Sequence, residues 1–136
     1  VSDKRPEVRF SSDLSDTPHL AWAGEIDQVL LPNSIADEVV LFHRMSGTVI
    51  FTDLLQNLDP GWFAGWRRIV ARLDLMTGDT PRVPRKFRMA LRPRGMARVQ
   101  VDRILDWPAQ RVLMAHGTPV THHARAFLRN AFAWLK

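Results

Sequence analysis

VVLFHRMSGTVIFT, residues 39–52, is the stretch on which the fold turns. Two runs, VVLFH (39–43) and TVIFT (48–52), are rich in β-branched and aromatic residues, and Arg44-Met45-Ser46-Gly47 lies between them. Such runs fit a pleated, half-buried surface, and a short Gly-containing link between two of them is a hairpin turn. A β-hairpin is therefore expected here. Upstream, IDQVLL (Ile26–Leu31) is an apolar run stopped by Pro32-Asn33, the pattern of a buried strand. Residues 1–24 are rich in Ser, Asp and Pro and read as mostly irregular, with a short strand possible at residues 8–10.

Downstream, Asp59-Pro60 supplies an N-cap and a first-turn proline, so a helix is expected to begin there. Its Trp62, Phe63, Trp66, Ile69, Val70 and Leu73 recur at helical spacing and are assigned to the core, with Arg67, Arg68 and Arg72 outward. Residues 78–93 are Pro- and Arg-rich and read as a long basic connection. A second helix is expected over about residues 96–107, with Ala97, Val101, Ile104 and Leu105 inward. RVLMA (111–115) reads as a strand ended by His116-Gly117. A last helix is expected over residues 121–135, with Ala124, Phe127, Leu128, Ala131 and Leu135 on one stripe. Strands first and helices mixed in later give an α+β or α/β sheet covered by helices. The five tryptophans, 22, 62, 66, 107 and 134, are expected mostly on inward faces, as core packing.

A length of 136 residues is one ordinary domain, and an apolar fraction of 46% excludes the disordered class. No apolar stretch is long enough for a bilayer span, and VSDKRPEVRF lacks the apolar centre of a signal peptide, so no membrane partner is expected. The chain has no cysteine, which excludes disulfides and thiolate metal sites and fits a cytoplasmic location. The net charge of +5 is uneven. Residues 82–103 hold eight basic side chains and one acidic one, Asp102, which leaves the remainder at −2. A local excess of this kind suits a phosphate-bearing partner, and it also suits a solvated face.

Two residues stand where chemistry is expected. Asp53 follows TVIFT and His116 follows RVLMA, so both leave the sheet at carboxyl ends of strands, where ligands gather in open sheets. A carboxylate and an imidazole at such a place suit zinc, manganese or iron. In the competing reading Asp53 caps the next turn and His116 bonds its own loop. Asp37 and Glu38 stand near the same crevice and could add a carboxylate. His122 and His123 are expected to be exposed first-turn residues of the last helix, and His43 a core or surface residue. GxSxG, HExxH and phosphate-cradling Gly-rich loops are absent.

WAGEIDQVLLPN, EVVLFHRMSGTVIFTDLLQN, RVLMAHGTPV and FLRNAFAWLK together resemble the C-terminal half of the metallo-β-lactamase fold. More narrowly, they look like a bacterial domain-of-unknown-function family on that fold. The resemblance implies half of a two-halved αββα sandwich: one mixed sheet with helices on one face, and a metal site at one edge of the paired sheets. It maps Asp53 onto the aspartate that bridges two metals and His116 onto the final histidine ligand. It also implies that an N-terminal half, bearing an HxHxDH motif, comes first in the family. That motif is absent from these residues, and Asn33, Ser34 and Ile35 stand where a histidine is expected ahead of the hairpin. These departures count against dinuclear hydrolysis by this chain alone. What the resemblance implies is a metal-dependent hydrolase acting on a small molecule, or a degenerate relative, with zinc or another divalent ion as cofactor. The bare face of a half sandwich implies a homo-oligomer or an N-terminal half as its cover. The alternatives are a basic module for nucleic acid or another polyanion, and a non-catalytic assembly protein.

Overall fold

The structure, a computed structural model, describes residues 12–136, so the strand expected at 8–10 lies outside the described residues. It is an α+β arrangement with one open, mixed sheet of four strands in the order β1-β2-β3-β4. The strands are β1 (Ile26–Leu31), β2 (Glu38–His43), β3 (Thr48–Gln56) and β4 (Arg111–His116). The helices are α1 (Trp66–Leu73), α2 (Arg85–Ala90), α3 (Arg94–Asp106) and α4 (Ala124–Ala131). β1, β2 and β3 pair antiparallel, and β4 joins β3 in parallel. A parallel neighbour cannot follow a hairpin turn, and α1 to α3 form the long crossover that brings the chain back.

The expected hairpin is present, with Gly47 at φ +61° in its turn. A side chain is disfavoured there twice over, because an added Cβ would also stand 2.9 Å from the Gln110 side chain.

Alternation along the strands separates two faces. Val29, Leu31, Val40, Phe42, Val49, Phe51, Val112 and Met114 form one face and are buried. They share one core with Ala97, Val101 and Ile104 of α3, Leu128 of α4, and Phe132. Burying one such Leu or Phe side chain contributes about 1.5–3 kcal/mol, so this face holds the sheet to its helices. The opposite face carries Leu30, Val39, Leu41, Ile50 and Leu113, which are half-buried or exposed. Gln28 on that face is an exception. It is buried, donates to the carbonyls of Ser15 and Thr17, and accepts from the Trp22 indole.

The free edge of β1 is tied down by Asp16, which accepts from the Leu30 N–H at 2.9 Å and from Gln100 and Arg103 of α3. Burial by itself would raise the Asp16 carboxyl, but these donors outweigh it and hold the group below its ordinary value.

Three expectations are corrected. The segment 78–93 is not a mere connection. It contains α2, and Val83, Phe87, Ala90 and Leu91 enter the core at helical spacing that its prolines and arginines obscure. The last helix is shorter than expected, because His123 adopts a left-handed conformation (φ 54°) and α4 starts only at Ala124.

The third correction concerns α1. Asp59 does cap a turn, accepting from the Gly61 N–H at 2.6 Å, but that turn is a single 3₁₀ turn over Pro60–Trp62. Gly65, at φ 56°, breaks the helix, and α1 begins at Trp66. Its apolar stripe then faces water: Trp62, Trp66, Ile69 and Leu73 are 74%, 70%, 62% and 61% exposed. Only Ala71, on the other side of α1, is buried. Helical spacing identifies a stripe but not the direction in which it points. The tryptophans divide accordingly: Trp107 and Trp134 pack against the core as expected, whereas Trp62 and Trp66 go with the stripe into water.

This orientation has a direct consequence for stability. Ile69→Asn and Leu73→Asn are expected to change unfolding free energy by no more than about 0.5 kcal/mol. Leu128→Ala is expected to lose about 2–5 kcal/mol. Urea unfolding checks both, and a large loss in the α1 variants would mean that the stripe packs inward.

Candidate functional site

Asp53 and His116 are brought together. His116 Nε2 lies 3.1 Å from Asp53 Oδ1, and the two side chains are 50% and 57% exposed. The reason lies in strand register. β3 and β4 pair in parallel as Thr48↔Arg111, Val49↔Val112, Ile50↔Leu113 and Phe51↔Met114. Continued unbroken, that offset would set Asp53 opposite His116, and both would point to the core face with Phe51 and Met114.

The ladder does not continue in this way. The next pair is Gln56↔His116, so β3 advances from 51 to 56 while β4 advances only from 114 to 116. The extra residues form a bulge, and alternation fails there: Thr52 and Asp53 are both exposed, while Leu54, Leu55 and Gln56 are all buried. Asp53 therefore stays near His116 but leaves the core for solvent. The expectation that Asp53 follows the end of its strand is corrected accordingly: β3 runs on to Gln56, and Asp53 sits at the interruption within it.

Glu38 holds the bulge. It is buried at the start of β2, and its carboxylate accepts from the Thr52 N–H at 2.6 Å, the Thr52 hydroxyl at 2.5 Å and the Asp53 N–H at 3.3 Å. These bonds continue the β2–β3 pairing beyond its last ladder pair, Leu41↔Ile50. On the other strand, the Asn57 N–H donates to the His116 carbonyl at 2.8 Å. Gly117 permits that approach, because a Cβ there would lie 3.0 Å from the Asn57 nitrogen and 2.8 Å from the Met114 sulfur. A side chain in place of the glycine of Ala-His-Gly would press on both neighbours. Glu38, expected only as a further carboxylate near the crevice, and Gly117, expected only as a strand end, are the residues that position the pair. The cue for Glu38 was an acid inside the opening of an otherwise apolar strand.

The pair is not there for stability. An ion pair this exposed contributes about 0–1 kcal/mol. What the pair offers is a carboxylate oxygen and an imidazole nitrogen 3.1 Å apart, both open to solvent. A small cavity of about 150 Å³ lies on the other side of Asp53, lined by Asp37, Glu38, Thr52 and Phe87 among others. Its two further carboxylates are already engaged, Glu38 as above and Asp37 with the Asn33 N–H at 3.0 Å.

Among the described residues, no group of three or more His, Asp or Glu side chains is arranged to hold a metal ion. Two donors fall short of the three protein ligands of a catalytic zinc site. They fit part of a metal shell and not a whole one. The remaining histidines stand elsewhere. His43 bonds Ser46 in the hairpin turn at 2.7 Å, and His122 and His123 are exposed ahead of α4.

Glu38→Ala removes the acceptor for the Thr52 amide and hydroxyl and for the Asp53 amide. It is expected to lower stability by about 1–3 kcal/mol and to shift the His116 ring resonances as the bulge relaxes. Urea unfolding with NMR of the imidazole checks this, and an unmoved His116 would mean that Glu38 does not position the pair. No protein-family model matches this chain, and no curated protein matches it.

Proposed function

We propose that this chain is a metallo-β-lactamase-type hydrolase unit carrying an incomplete metal centre, with Asp53 and His116 as two of its ligands. The observation that carries the reading is the 3.1 Å approach of a carboxylate and an imidazole at neighbouring strands, turned out of the core by a bulge. A divalent ion bound by them would supply an acidified water or a polarised substrate oxygen. Hydrolysis requires further donors from outside the described residues, so the unit alone is inactive or only weakly active. What the chain itself contributes is placement. Glu38 fixes Asp53, Asn57 and Gly117 fix His116, and the exposed edge between them admits a small-molecule substrate.

The second face of the sheet supports the same reading. Leu30, Val39, Leu41, Ile50 and Leu113 form an apolar surface of the kind a second sheet covers in a sandwich. In the chain by itself, a second copy covers that face, giving a homodimer.

Two measurements test these statements. Manganese added in small increments is expected to broaden the His116 ring signals before those of His122 and His123, and Asp53→Ala is expected to abolish that preference. Preferential broadening at His122 and His123 would remove the metal reading. Light scattering is expected to give a dimer that Leu41→Lys and Ile50→Lys dissociate, whereas a well-folded monomer would refute the covered face.

A further inference from the structure

The basic stretch noted in the sequence does not form one surface. Arg82 and Arg88 stand beside α4, while Arg94, Arg98 and Arg103 belong to α3. Between the first group and α4 lies a cavity of about 360 Å³, lined by Thr80, Arg82, Arg88, Phe127 and Asn130 among others. That volume suits a small molecule rather than a polymer.

Arg88 is fixed in place. Its Nε donates to the Val83 carbonyl at 2.9 Å, and its guanidinium stacks on Trp134 at 5.1 Å. The terminal nitrogens keep no partner among the described residues, and no described carboxylate pairs with Arg82, Arg85 or Arg88. Burial, then Arg82, then Arg85 push the Arg88 guanidinium below its ordinary value. Like charges held together beside a cavity are relieved by an anion.

The geometry points to a binding site for a small molecule bearing a phosphoryl group, gripped by Arg82 and Arg88 with Thr80 and Asn130 as further hydrogen-bonding groups. A second cavity, of about 500 Å³, shares Thr80, Pro81, Phe127 and Asn130 with the first and extends to Asn57. Asn57 itself is held in place, its backbone N–H donating to the His116 carbonyl. The rest of the ligand therefore runs past Phe127 toward Asn57, along the lining that the two cavities share. Asp79 lines the second cavity and not the first, so the negative charge belongs at the arginine end. The site does not depend on a metal at Asp53 and His116.

The probe is pyrophosphate, titrated into the labelled chain at fixed ionic strength with a chelator present and followed by NMR. Saturable shifts are expected at Thr80, Arg82, the Arg88 side chain and Asn130. Arg82→Ala is expected to weaken binding by about tenfold, the loss of one charge-assisted contact. Arg88→Lys keeps a cation over Trp134 while removing the planar fork, and a clear weakening in this variant separates recognition from folding. Asp53→Ala is expected to bind as the parent does, so the anion site stands even if the metal reading fails. Shifts that follow ionic strength alone, or equal binding by the Arg82→Ala and Arg88→Lys variants, would overturn the proposal. So would a short oligonucleotide that binds more tightly than pyrophosphate through Arg92 to Arg103 while Thr80 and Asn130 stay unmoved.

Discussion

The parallel pairing of β3 on β4 is the constraint from which the rest of this molecule follows. It fixes which residue of one strand meets which of the other, and it brings Asp53 to His116 across more than sixty positions of sequence. Left regular, the same pairing would bury both beneath the helices, where an isolated carboxylate is costly. The bulge after Phe51 resolves the conflict: Leu54 and Leu55 fill the core, and the polar pair turns to water. Glu38 makes the bulge tolerable by giving the freed amides of Thr52 and Asp53 an acceptor. A buried acid, a glycine and a register break thus serve one pair of side chains that adds little to stability.

The described part of the fold leaves apolar surface in two places, the outer face of the sheet and the stripe on α1. Patches of this kind seldom stay bare in a stable protein. The sheet face alternates along its strands as a packing surface does. The α1 stripe is flanked by Arg67 and Arg72 and turned almost directly away from Ala71, the one buried residue of α1. No helix among the described residues is long and apolar enough to cross a membrane.

Much of the fold was legible because periodicity and turn chemistry are local. The hairpin, β1, β4 and the inward face of α3 all follow from runs, alternation and Gly or Pro punctuation. The nearness of Asp53 and His116 was legible as well, from their positions after apolar runs. What escaped was directional or long-range. The spacing of Trp66, Ile69 and Leu73 defines a stripe, but whether it faces core or water depends on what the rest of the chain can cover. The α2 helix was hidden because three prolines and its arginines outweighed the spacing of Val83, Phe87 and Leu91. The role of Glu38 depends on a bulge fourteen residues away, which no local pattern announces.

The central claim, that an interrupted register turns Asp53 out of the core beside His116, is tested most directly by cross-strand proton contacts in a labelled sample. The account requires β3–β4 contacts up to Phe51 and Met114, a gap at Thr52 and Asp53, and a renewed contact between Gln56 and His116. An unbroken ladder that pairs the Asp53 backbone with His116, with both side chains shielded from solvent, would contradict it.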